Sequence, residues 1–304
     1  MTREDTLILH NLMREHEDVL GSSRSTLLAL GSFMASIQEL SCPPDRLREQ
    51  YLELTEAIKK TRPKVIPLIH LIEEFEKEME PHYSQDPESV KQTAVDILQA
   101  KYDKLQTKSG KIIELGLTCI EEGDVIVVHA ANANVIGIIT LANQVLDKDI
   151  KVIVLQQNLA KTKRMISQLR QSNVPLQAVP EYSLSHYIGE ANKMFCGALS
   201  ITADHQVVAP VGTANIASLC HFHQVPVYLF ANTLKFAHGV SADQRIHSES
   251  VTQDKHDQAY ELITYSHDMV DLKMVDYLIT EEGIYPQEKI ESYLDHFYAS
   301  QLRT

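Results

Sequence analysis

Three clusters of residues have types and spacing that could bind or transform a small molecule. His129, Asn132 and Asn134 follow directly on the apolar run Val125–Val128. An imidazole and two carboxamides placed there can hydrogen-bond a polyol or a carbonyl. A structural histidine followed by two helix-capping asparagines has the same signature. Gly212 and Thr213, within Pro210–Asn215, stand between a β-like segment and a helical pattern. Glycine lets a ligand approach the backbone, threonine can cap the helix, and free first-turn N–H groups favour an anion; a plain helix cap reads identically. Ser22, Ser23 and Arg24 precede an apolar helical face. Hydroxyls, free N–H groups and a guanidinium make either a phosphate clamp or a serine cap beside a surface arginine. Arg62, in Thr61-Arg62-Pro63, lies near another helix start, and Lys235 adds a positive charge after the last strand of the alternating region.

Other chemistries find little support. Cys42, Cys119, Cys196 and Cys220 are scattered without metal or redox spacing and read as reduced thiols of a cytoplasmic protein. His205, His221, His223 and His238 show no ligand spacing; two histidines at i,i+2 do not share a helix face. Neither a P-loop nor a Gly-x-Gly-x-x-Gly fingerprint occurs, so no cofactor and no metal are expected. The net charge of −13 argues against direct nucleic-acid binding, because phosphate recognition needs a basic surface. Lys161, Lys163, Arg164 and Arg170 read as a solvated helix face. No run approaches the ~20 apolar residues of a membrane span, and the start of the chain lacks an apolar signal core.

These groups need elements to hold them. Hydrophobic residues are 44% of 304 and charged residues 23%, as in an ordinary globular chain long enough for two domains. Residues 1 to about 80 follow helical spacing, with Leu27, Leu30, Phe33, Met34 and Ile37 in one helix and Ile66 to Met79 in another. The glutamates from Glu73 to Glu80 read as a solvated face. A helix is predicted from Glu88 to about Leu105, then a second helical face from Ile112 to Ile120 ended by Gly123. From Asp124 strands and helices alternate. Strands are predicted at Val125–Val128, Lys151–Leu155, Pro175–Val179, Ala198–Thr202 and Val225–Phe230, with Val207-Val208 as a short hairpin partner to the fourth. Helices are predicted at Val135–Leu146, Ala160–Gln171, Leu184–Met194 and Ala214–His223. Repeating βα units imply an α/β fold, a mostly parallel sheet with helices on both faces. Residues 237–258 read as a long loop.

Several stretches in one order resemble the translation initiation factor 2B alpha/beta/delta family, which includes isomerases of methylthioribose 1-phosphate and ribose 1,5-bisphosphate. They are Thr61–Pro63, Glu121–His129, Lys151–Leu155, Val211–Thr213, Pro226–Phe236 and Ile279–Gly283. The resemblance implies a helical N-terminal domain, residues 1–108, and a Rossmann-like domain, residues 109–304. It also implies a homodimer formed through the C-terminal domain and a sugar-phosphate or nucleotide pocket between the domains. The isomerases carry a His-Cys-Asn stretch and a Gly-Ala-Asp whose cysteine and aspartate act in proton transfer. Here His129 is followed by Ala130, and Gly197-Ala198 by Leu199. Their Asn-Lys before Gly-Thr corresponds to Ala209-Pro210, and their Glu-Ser/Thr-Arg-Pro to Gln156–Leu159.

The expectation is therefore a non-catalytic, regulatory member of that family that binds a phosphorylated sugar or nucleotide. Arg24 and Arg62, with Ser22 and Ser23, would hold phosphate; Gly212 and Thr213 would offer N–H groups; His129, Asn132 and Asn134 would read hydroxyls; Lys235 would add charge. Two alternatives are an aldose–ketose isomerase with relocated groups, including Asp204, and a regulatory subunit of a translation initiation assembly with a protein partner.

Overall fold

The computed structural model describes residues 21–39, 46–59, 65–129, 132–156, 159–239, 248–255, 258–265 and 267–301. The chain forms two compact units, Met1–Gly110 and Lys111–Thr304.

In the first unit, α1 (Ser22–Glu39), α2 (Leu47–Lys59), α3 (Ile66–Met79) and the first part of α4 (Pro87–Leu117) follow one another. Their shared spacing buries Leu30, Phe33, Ile37, Tyr51, Leu71, Phe75 and Met79. Phe33 meets Phe75 edge-on at 5.3 Å and Tyr51 at 6.4 Å. Pro67 starts α3, where a missing N–H costs nothing. The glutamate run does more than face solvent. Glu74 accepts from Lys101 Nζ at 3.0 Å and Lys104 Nζ at 2.8 Å, Glu78 accepts from Lys101, and Glu76 accepts from Lys59 at 2.8 Å. The two helices expected over 88–105 and 112–120 are one, α4, because Gly110 lies inside a helix that tolerates it. Gly123, expected to end that helix, instead sits at φ +76° in the turn before the first strand.

The second unit is built on a seven-stranded sheet ordered β12-β11-β7-β4-β1-β2-β3. Its strands are β1 (Val125–Val128), β2 (Lys151–Gln156), β3 (Leu176–Pro180), β4 (Lys193–Gly197), β7 (Val227–Phe230), β11 (Tyr277–Thr280) and β12 (Gly283–Pro286). All neighbours are parallel except β11 and β12. Helices α5 (Ala133–Gln144), α6 (Leu159–Gln171), α7 (Thr213–Phe222) and α8 (Gln287–Gln301) surround the sheet. Alternate residues of each strand feed two cores. Val127, Ile153, Met194, Cys196 and Leu229 pack with Ile216, Cys220 and Leu294; Ile126, Val128, Val154, Phe195 and Phe230 pack with Ile138, Met165 and Ile112. Burial on both faces explains the uninterrupted apolar runs.

Beyond α4 and Gly123, the chain departs from the sequence expectation in three further places. Residues 184–194 are not a helix: two short 3-10 turns, Glu181–His186 and Ile188–Glu190, lead into β4 at Lys193. The strand expected at 198–202 is β5 (Ser200–Ile201), which leaves the main sheet and pairs antiparallel with β6 (Gln206–Pro210), as its Val207-Val208 partner implied. Of the segment 237–258 read as a loop, residues 240–247 and 256–257 lie outside the described residues, and β8 (Ser248–Lys255) is a strand that pairs with β9 (Gln258–Tyr265) as a two-stranded ribbon. The small sheet is completed by β10 (His267–Asp271) against β6.

Candidate functional site

The strand order reverses between β1 and β4: β2 and β3 extend to one side, β7 and β11 to the other. In open parallel sheets, the crevice at the carboxyl ends of such a pair is where ligands bind. His129 follows β1 there and is fully buried. Its Nδ1 lies 3.2 Å from Thr213 Oγ1, and Thr213 donates its hydroxyl proton to the Pro210 carbonyl at 2.5 Å. Thr213 must therefore accept from His129, so Nδ1 carries a proton. Nε2 makes no hydrogen bond among the described residues and faces Glu181 Oε2 at 3.5 Å. Glu181 follows the carboxyl end of β3 and lies over Gly212; a Cβ at that glycine would overlap its carboxylate. Gly212, at φ +91°, is the N-cap of α7. The next helical N–H, that of Ala214, is held by Asp268 Oδ2 at 3.0 Å.

Asn132 is committed to the scaffold. Its Oδ1 accepts from Val135 N–H at 2.9 Å, capping α5, and its Nδ2 donates to the Phe230 carbonyl at 3.1 Å. The side chain crosses the end of β4, and any Cβ at Gly197 would collide with it. Asn134, the second residue of α5, is buried. Lys235 is buried beside β4, its Nζ donating to the Ala198 carbonyl at 2.6 Å. The carboxyl edge of the sheet thus gathers His129, Asn132, Gly212, Thr213 and Lys235. Ser22, Ser23 and Arg24 lie on the first turn of α1 in the other unit; Ser22 is buried with its Oγ unbonded, and Ser23 and Arg24 are half-buried. Arg62, with Thr61 and Pro63, lies outside the described residues, as does Ala130. Asp204 lies in the β5–β6 turn.

Sequence reasoning missed Glu181, Asp268, Asn232 and Glu281. Asn232 follows β7, fully buried, with neither amide atom hydrogen-bonded among the described residues. Glu281 follows β11 and accepts from the Thr233 N–H at 3.0 Å and from its hydroxyl. Three of the four stand just past the carboxyl end of a strand of the main sheet, and that position was the available signal. Cys196 and Cys220 offer no ready nucleophile: burial pushes their thiols up to about 12. Among the described residues no three His, Cys, Asp or Glu side chains are grouped to hold a metal ion, and no helix is long and apolar enough to cross a membrane.

The fold has counterparts among known proteins. The sequence pattern of the Initiation factor 2 subunit family matches residues 18–287, and the chain belongs to that family. The ribose 1,5-bisphosphate isomerase of Pyrococcus furiosus is 28% identical over 253 residues, covering 78% of each chain. The structure of the Pyrococcus horikoshii OT3 translation initiation factor eIF-2B superposes with a TM-score of 0.76 at 24% identity, covering 94% of this chain and 98% of that one. One chain of the tetrameric eIF2B-beta2-delta2 complex from C. thermophilum superposes with a TM-score of 0.69 at 14% identity, covering 99% and 95%. The family thus holds regulatory subunits and sugar-phosphate isomerases on one fold.

Proposed function

We propose that this chain is a non-catalytic, regulatory member of its family that binds a phosphorylated sugar or nucleotide at the carboxyl edge of the sheet. The observation that carries this reading is the Thr213–His129–Glu181 chain at the start of α7, an organised polar site at a strand-order reversal; the family resemblance adds that Ala130 and Leu199 stand where the isomerases would carry cysteine and aspartate. The first turn of α7 would take the phosphate, and His129 would meet it through Nε2. Asn134 would read sugar hydroxyls. Homodimerisation through residues 111–304 and a protein partner belong to the same reading, supported by the multisubunit assembly of a structural relative. In a thermal-shift panel of aldose 1-phosphates, ribose 1,5-bisphosphate and nucleoside monophosphates, at least one compound should raise the melting temperature. Thr213→Val should abolish that rise, since it removes the acceptor that orients His129. A panel without effect overturns the reading.

The His129–Glu181 contact supports a second reading. Aldose–ketose isomerisation needs an acid and a base about C1–C2, and a histidine facing a carboxylate at 3.5 Å is a pair of that type. It requires turnover that disappears in His129→Ala.

A further inference from the structure

We propose that the anion seat at the N-terminus of α7 is gated by the protein's own Glu181, whose carboxylate a phosphate-bearing ligand must displace. This rests on the ligand-binding reading and adds its regulation. Glu181 lies against the α-carbon of Gly212, where only a glycine leaves it room. Its Oε2 faces His129 Nε2 at 3.5 Å, and that nitrogen is fully buried with no hydrogen bond among the described residues. Asp268 already occupies the Ala214 N–H. Two carboxylates therefore face one helix end, whose dipole amounts to roughly half a positive charge. A phosphate entering while both remain meets like charge from each.

The two carboxylates are not held equally. Asp268 sits on β10, paired residue by residue with β6, and is fixed by its bond to α7. Glu181 opens a 3-10 turn, is 24% exposed, and is followed by Tyr182, which is 88% exposed. Glu181 is the group free to swing outward with its turn. His129 stays in place, because its Nδ1–H is held by Thr213. Nε2 faces the Glu181 carboxylate in the closed state and would face the phosphate in the open one. The exchange replaces one anion by another beside the same nitrogen.

The test is titration calorimetry of inorganic phosphate into the full chain and into Glu181→Gln, which keeps the side-chain shape. The gate predicts binding at least about tenfold tighter in the variant, since like-charge contact across a binding site costs several kcal/mol. Glu181→Ala should move affinity in the same direction. Phosphate should also speed amide hydrogen exchange over residues 181–186 in the unaltered protein. Equal affinities, or weaker binding by the variant, overturn the gate and leave the ligand reading standing. Phosphate binding to none of the three proteins removes the anion seat itself, and the gate with it.

Discussion

Asp124 and Lys193 tie together the amino ends of β1 and β4, opposite the site. Lys193 Nζ donates to Asp124 Oδ2 at 2.6 Å, and both residues are buried. The carboxylate also accepts from the Glu121 N–H at 2.7 Å and Asn192 Nδ2 at 2.9 Å. Removing one partner of such a pair strands a buried charge. Lys193→Met should cost about 3–5 kcal/mol in urea unfolding, and Lys193→Met with Asp124→Asn should recover part of it. An unchanged midpoint in the single variant would show that the pair is solvated. At the other edge, Gly212 combines a left-handed φ of +91° with contact against Glu181. Gly212→Ala should destabilise by about 1–3 kcal/mol. In a Glu181→Ala background the loss should shrink to the backbone share, which a double-mutant cycle measures. At this scale His129, Gly212 and Thr213 were legible because small polar residues follow an apolar strand or open a helix. Glu181 was not, since its partners belong to β1 and α7, far away in sequence.

The elements of the N-terminal unit are tied by charge as well as by the Phe33–Phe75 core. Burial alone would push Glu74 up, but Lys104 and Lys101 outweigh it and leave its carboxyl below the ordinary 4.5. Burial would lower Lys101, but Glu78 and Glu74 outweigh it and leave its ammonium above the ordinary 10.5. Glu74 therefore contributes stability that is full above pH 4.5 and is lost as the pH falls through its folded value. Lys101 contributes stability that is full below pH 10.5 and is lost as the pH rises through its own. Thermal melts across pH should show a plateau between these limits, and Glu74→Gln should flatten its acid side. An acid limb unaltered in that variant would contradict the assignment. Among elements, β1 and β2 were plain in the sequence because burial on both faces demands continuous apolar residues. Strand β4 was not: it begins with Lys193, whose charge is neutralised by Asp124, 69 positions away. The ribbon of β8 and β9 was hidden too, because Ser248–Lys255 lacks the apolar alternation of a strand on a core.

At the scale of the whole molecule, one fold serves enzymes and regulatory subunits, so the fold alone does not assign a role. Here the decision falls to the carboxyl edge of the sheet. It carries a helix start that favours an anion and a buried, oriented histidine. Binding without turnover is the central claim. Phosphorus NMR of the full chain mixed with aldose 1-phosphates, ribose 1,5-bisphosphate and nucleoside monophosphates tests it most directly. Shifted or broadened signals without new products are the predicted result; a growing ketose-phosphate signal would contradict the account and establish His129 and Glu181 as candidates for the acid and base.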